Sequence, residues 1–162
     1  MNSSAIKTNS YLVVRLLLPV VIISLYGCAG GPKMQSAAQG QSPVASYALS
    51  LQGIPYRYGK DSPEEGFDCS GFVTHVYQKQ GINLPRTVSE MALYLPQIPK
   101  NDVHSGDLVF FNTNGTLFSH VGIYLNDDKF VHAPSQRTGR VLVSSLKNQY
   151  WQKHYSGARR PQ

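Results

Sequence analysis

The chain has 162 residues, 41% of them hydrophobic and 15% charged, with a formal net charge of +6. That length suits one domain and a tail, and so low a charge content excludes a disordered polyelectrolyte. The sequence shows no basic run and no interleaving of aromatic and basic residues, so nucleic acid is not an expected partner. A mildly basic surface suits an anionic polymer instead.

In chain order, the first segment is of export type. Lys7 and Arg15 precede Leu16-Leu17-Leu18-Pro19-Val20-Val21-Ile22-Ile23, an apolar stretch of signal-peptide length, short for a membrane span. Leu25-Tyr26-Gly27-Cys28 then resembles a bacterial lipobox, with a small residue before the cysteine and an aliphatic residue three before it. The resemblance implies cleavage after Gly27 and lipidation of Cys28, which becomes the membrane attachment. Losing Lys7 and Arg15 takes the net charge from +6 down by two, to +4. Ala29, where an Asp is absent, is similar to lipoproteins sent on to the outer membrane. The expected organisation is a signal peptide over 1–27, a flexible Gly/Ala/Ser/Gln/Pro tether over 28–41 and one domain over 42–162. With Cys28 taken by lipid, a disulfide to Cys69, the other cysteine, is not expected.

Ser42-Pro43 reads as N-cap and first helical residue, with Val44, Tyr47, Ala48 and Leu51 as the apolar stripe and Gln52-Gly53 as the stop. Ile54 to Gly59 is extended, because Pro55 biases its predecessor away from helix. Lys60 to Gly66 reads as an acidic loop. Gly66-Phe67-Asp68-Cys69-Ser70-Gly71 then feeds a helix whose buried face is Phe72, Val73, Val76 and Tyr77, ended by Gly81. Cys69 falls at the start of that helix. Unpaired N–H groups and the dipole there favour thiolate over thiol, so Cys69 is a candidate nucleophile.

Thr87-Val88-Ser89-Glu90 matches a capping box and opens a short helix through Leu95, broken by Pro96 and Pro99. Leu108–Phe111 has the composition of a fully buried strand, after a turn at Ser105-Gly106-Asp107. Further strands are expected at Ser119–Leu125, Lys129–His132 and Arg140–Ser144, with Asn126-Asp127-Asp128 as a hairpin turn. Residues 145–152 suggest a short helix, and Tyr155 to Gln162 a terminal tail. Helices followed by a run of antiparallel strands make an α+β fold.

The two strands that carry His120 and His132 are adjacent and antiparallel on this reading, and bring both imidazoles to one helix start. Cysteine, histidine and a second polar residue, in that order, follow the order of a papain-like peptidase. Zinc held by Cys69, His120 and His132 is disfavoured, because the short ligand pairs of zinc motifs are absent; no metal or other cofactor is expected. Arg86 reads as a surface residue, Glu90 as a cap, and His75, His104 and His154 as solvated.

Taken together, Tyr56-Arg57-Tyr58-Gly59, Asp68-Cys69-Ser70-Gly71-Phe72, Leu84-Pro85-Arg86, Gly106-Asp107-Leu108-Val109-Phe110-Phe111, His120-Val121-Gly122-Ile123-Tyr124 and Phe130-Val131-His132-Ala133 resemble the NlpC-type cell-wall cysteine peptidases. The single-domain, lipid-anchored layout is similar to the murein endopeptidase lipoproteins of Gram-negative bacteria. The resemblance covers about residues 44–160. It implies a papain-like fold, with N-terminal helices packed on an antiparallel sheet and the nucleophile at a helix N-terminus, and hydrolysis of amide bonds in peptidoglycan stem peptides. It also implies Cys69 as nucleophile, His120 as base, His132 as the residue that orients the base, Tyr56 as a helper at the oxyanion, and Asp68 and Ser70 as substrate contacts. The sequence departs at Lys60, where many members carry a second glycine after Gly59. An amidase or acyltransferase on the same fold, or an idle wall-binding lipoprotein, would use the same residue types. Which stem or cross-bridge bond is cut, and the oligomeric state, are open at this level.

Overall fold

In the computed structural model, which describes residues 40–162, the domain starts where the local chemistry places it. Ser42 caps helix α1 (Pro43–Ser50) by accepting the Ala45 N–H at 3.2 Å, and Pro43 occupies the first turn, where a missing N–H costs nothing. The expected signal peptide, the Cys28 lipidation site and the tether up to residue 39 lie outside the described residues.

The segment expected as a loop over 60–66 instead holds a small hairpin. Its strands are β1 (Asp61–Ser62) and β2 (Gly66–Phe67), paired antiparallel. Helix α2 (Cys69–Gln78) follows at once and buries Phe72, Val73, Val76 and Tyr77, as the spacing predicts. The hairpin and the first turn of α2 touch so closely that a Cβ on Gly71 would run into the Lys60 carbonyl oxygen. Gly81 takes φ +77° beyond the end of the helix. Thr87 and Glu90 form the expected capping box at the start of helix α3 (Val88–Tyr94).

Strands β3 (Gln97–Ile98), β4 (Leu108–Phe111), β5 (His120–Tyr124), β6 (Lys129–His132), β7 (Leu142–Ser145) and β8 (Tyr155–Arg159) form one antiparallel sheet, ordered β3-β8-β4-β5-β6-β7. The β5–β6 turn forms as expected, with Asp127 and Asp128 both left-handed at φ 53° and 58°. Two expectations need correction. Residues 155–159 are not a tail but the strand between β3 and β4, with Ala158 fully buried. Arg140 is not the start of β7; it forms a bridge with Pro55 that ties the extended 54–59 segment to the sheet.

Strand alternation divides the core in two. Leu108, Phe110, Val121, Ile123 and Val131 pack with Phe72, Val76 and Met91 on the side of α1–α3. Val109, Phe111, Phe130 and Ala158 face the other way, against Trp151 of helix α4 (Gln149–His154). Fully buried side chains such as Phe72, Phe110, Phe111 and Phe130 each contribute about 1.5–3 kcal/mol by leaving water.

Candidate active site

The site is built where α2 begins beside β5. Asp68 is the N-cap of α2, so Cys69 is its first residue. The Asp68 carboxylate is only 8% exposed and is occupied by the protein's own donors. Its Oδ1 accepts from the Gly71 N–H at 2.6 Å, from the Ser70 hydroxyl at 3.3 Å and from Arg86 Nη1 at 3.2 Å. Its Oδ2 accepts from the Gly59 N–H at 2.9 Å and from Arg86 Nη2 at 3.0 Å. Asp68 thereby clamps the 59–60 turn, the α2 N-terminus and the 84–87 segment around the thiol.

Arg86 is therefore more than a surface residue, which corrects the sequence reading. Besides its fork on Asp68, its Nη1 donates to the Ser70 hydroxyl at 2.7 Å, and the side chain lines the cleft. Its partners lie 16 and 18 residues away in sequence, and no local periodicity reports such a pairing. The one sequence signal was its place after Leu84-Pro85.

A cleft of about 640 Å³ holds Cys69, His120, Tyr56, Asp68 and Ser70 on its walls, with Tyr58 and Asn114 at its margins. The sequence-predicted residues thus meet in one place, and His132 lies behind them. Cys69 arrives from the α1–α3 side of the sheet. The imidazoles of His120 and His132 sit on the opposite side, where Phe111, Phe130 and Trp151 surround them. The layers join at the start of β5. There the backbone N–H of Val121, the residue after His120, favours the charged form of the Cys69 sulfur.

His120 is buried, and its Nε2 lies 2.7 Å from His132 Nδ1. That contact leaves His120 Nδ1 as the ring nitrogen free for the thiol. His132 is fully buried and uses both nitrogens, the second against the Ser144 hydroxyl at 2.9 Å. Gly122 makes room for it: a Cβ there would stand 2.7 Å from the Phe130 ring and 3.1 Å from the His132 Cβ. Trp151 stacks on His120 at 5.7 Å and meets His132 edge-on at 4.9 Å, closing the pair off from water. Neither Trp151 nor Ser144 was singled out in the sequence, because neither lies in a recognisable motif.

The electrostatics run against the expected thiolate. Burial, and then the nearby Asp68 carboxylate, push the Cys69 thiol up to about 11. The N–H groups of Ser70, Val121 and Cys69 pull the other way, but they do not prevail. Burial lowers His120 to about 4, and takes His132 well below its ordinary value. Both shifts favour a neutral pair at rest, a thiol beside an imidazole. They favour moving the thiol proton as the sulfur attacks. Burial, followed by the neighbouring acidic groups of Cys69 and Asp68, also raises Tyr56, so its hydroxyl stays a donor at neutral pH.

The other histidines divide. His75 is half-buried and pairs with the Tyr47 hydroxyl at 3.1 Å, so it is not the solvated residue expected; burial lowers it. His154 is also half-buried and bonds the Tyr150 carbonyl, again against expectation. His104 is exposed, as expected, and accepts from Arg160 at 2.9 Å. Among the described residues, no group of three or more His, Cys, Asp or Glu side chains is gathered as a metal ion would need.

Comparison with known proteins matches this geometry to relatives. The chain is 42% identical over 132 residues to murein DD-endopeptidase MepH of Escherichia coli K12, an alignment covering 78% of this chain and 48% of that protein. It is 39% identical over 121 residues to murein DD-endopeptidase MepS/murein LD-carboxypeptidase of the same organism, covering 74% and 62%. A lipoprotein-like NLP/P60 family protein of Staphylococcus aureus superposes with a TM-score of 0.66 at 38% identity, over 73% of this chain and 40% of that one. The chain spans about half the length of the first of these relatives and less than two thirds of the second. The α+β, papain-like arrangement is common to chain and neighbour. The sequence profile of the NlpC/P60 family matches residues 53–160, which takes in the Asp68 hub, Cys69 and both site histidines, and the chain belongs to that family.

Proposed function

We propose that the protein is a cysteine hydrolase that cuts an amide bond in peptidoglycan stem peptides or their cross-bridges. The observation that carries this reading is the placement of Cys69, first residue of a helix, in one cleft with a histidine whose far nitrogen is held by a second, buried histidine. The relatives' names, murein endopeptidases, supply the substrate class.

The Cys69 sulfur attacks the scissile carbonyl while its proton passes to His120 Nδ1. The N–H groups near the sulfur and the Tyr56 hydroxyl stabilise the oxyanion; one such donor is worth about 3–4 kcal/mol in the transition state. Imidazolium His120 then gives its proton to the leaving amine, which departs and leaves a thioester. Water, deprotonated by His120, adds to the thioester and releases a carboxylate, and the proton returns to the sulfur. His132 accepts the His120 Nε2–H throughout and holds the ring in line. A carboxylate is not needed for that task.

The reading extends to the N-terminus. Cys28, in its lipobox-like setting, is the lipid attachment, and Ala29 directs the lipoprotein to the periplasmic face of the outer membrane. Palmitate labelling of the wild-type chain and not of Cys28→Ser checks that part. For the chemistry, purified sacculi are digested with the full chain and the muropeptides weighed. The wild type is expected to convert cross-linked or full-length stems into shorter products, whose masses identify the bond. Products made equally by Cys69→Ser would end the proposal.

A further inference from the structure

The proton path does not stop at His132. A neutral imidazole has one N–H and one lone pair, so a chain of two rings has two polarities. In one, His120 carries its proton on Nε2, donates to His132 Nδ1, and keeps a bare Nδ1 in the cleft it shares with Cys69. In the other, His132 carries its proton on Nδ1 and donates to His120 Nε2. His120 must then hold its own proton on Nδ1, where it cannot accept from the thiol. Only the first polarity permits the proposed hydrolysis.

The first polarity requires His132 to carry its proton on Nε2, and that N–H is buried and must find an acceptor. Ser144 Oγ lies 2.9 Å from it. Among the described residues, no carboxylate or carbonyl hydrogen-bonds either ring, so Ser144 terminates the chain. Strand pairing brings it there: Ser144 stands opposite Phe130 in the β6–β7 ladder, diagonal to His132 and on the same face.

We infer that Ser144 is a positioning residue of the site: by accepting from His132 Nε2 it holds both imidazoles in the one polarity in which His120 Nδ1 can take the Cys69 proton. Imidazolium His120, formed during attack, strengthens the requirement. With protons on both nitrogens it needs His132 Nδ1 as an acceptor, and so needs Ser144 at the far end. A hydroxyl suits the role because it can accept from His132 while giving its own proton to solvent. Removing it leaves a buried N–H unpaired, and the cheapest escape is for the His132 proton to move to Nδ1, the dead polarity.

The inference rests on the hydrolase reading for its kinetic consequence, but not for its structural one. The test uses the full chain with nitrogen-15 labelled histidine, as wild type, Ser144→Ala and Ser144→Thr. Long-range proton–nitrogen spectra assign which nitrogen of His120 and His132 is protonated. The expected result is Nε2–H on both rings in the wild type and in Ser144→Thr, with His132 shifted toward Nδ1–H in Ser144→Ala. On stem-peptide substrate, Ser144→Ala is expected to lose about tenfold in kcat with KM little changed, and Ser144→Thr to restore most of it. An unchanged His132 tautomer in Ser144→Ala, or a threonine variant as impaired as the alanine one, overturns the inference. If the tautomers behave as stated and the wild type leaves peptidoglycan uncut, Ser144 keeps its role and the hydrolase reading is what fails.

Discussion

Arg86 governs how much of the Asp68 charge reaches Cys69. Its guanidinium forks onto both carboxylate oxygens from a position in the cleft wall. Without it, the carboxylate would face the sulfur with only backbone N–H groups and Ser70 to balance it. Arg86→Ala is therefore expected to push the Cys69 thiol further up and to slow alkylation by a small neutral reagent. The wild-type rate should climb with pH toward an inflection near 11, with no plateau at neutral pH. The variant should climb later. The pair is partly exposed on the arginine side, so the stability cost is about 1–2 kcal/mol, between a surface and a buried ion pair. Arg86→Lys would keep the charge and lose the fork. A plateau of fast alkylation at pH 7 in the wild type would show that a thiolate is already present, and would sink the neutral-pair description.

Strand β8 carries the largest difference between sequence and structure at the level of elements, and it shows what a local reading can reach. Gly81, the Asn126-Asp127-Asp128 turn and the Thr87–Glu90 box were all legible, because each is a contact across a few residues. Cys69 and the two histidines were legible because helix starts and strand hairpins are local too. Tyr155–Arg159 has no β-branched run and no alternation, and its partners begin at Leu108 and Gln97. Its place comes from the slot that β3 and β4 leave, from the burial of Ala158, and from Arg159 donating its Nε to the Ala92 carbonyl at 2.8 Å. Arg86, read as a surface residue, and Ser144, read only as the end of a strand, were missed as site residues for the same reason. A chain ended after His154 should fail to fold, since β3 and β4 would both lose their shared partner. Circular dichroism and a thermal melt check this. A cooperative transition near that of the full chain would show that β8 is dispensable.

At the scale of the whole domain, the buried histidines make folding depend on pH in a direction that can be worked out. Burial lowers His120 to about 4 in the fold, from the ordinary 6.5 of an unfolded chain. Between those values the unfolded chain binds more protons, so stability rises with pH there. The contribution is complete above about 6.5 and disappears as pH falls toward 4; a shift of this size is on the order of 3 kcal/mol. His132 and His75 are lowered as well and act with the same sign. Cys69 acts on the other side: its thiol ionises near 9 when unfolded and near 11 when folded, so stability declines as pH rises past 9. The domain should therefore show a plateau of urea resistance between about pH 6.5 and 9. The acid limb should begin well above the carboxylate range and be shallower in His120→Gln, where one of the three histidines no longer titrates. An acid limb that starts only below pH 4.5, alike in both proteins, would mean that the histidines are solvated and that the dry pair behind Cys69 does not exist.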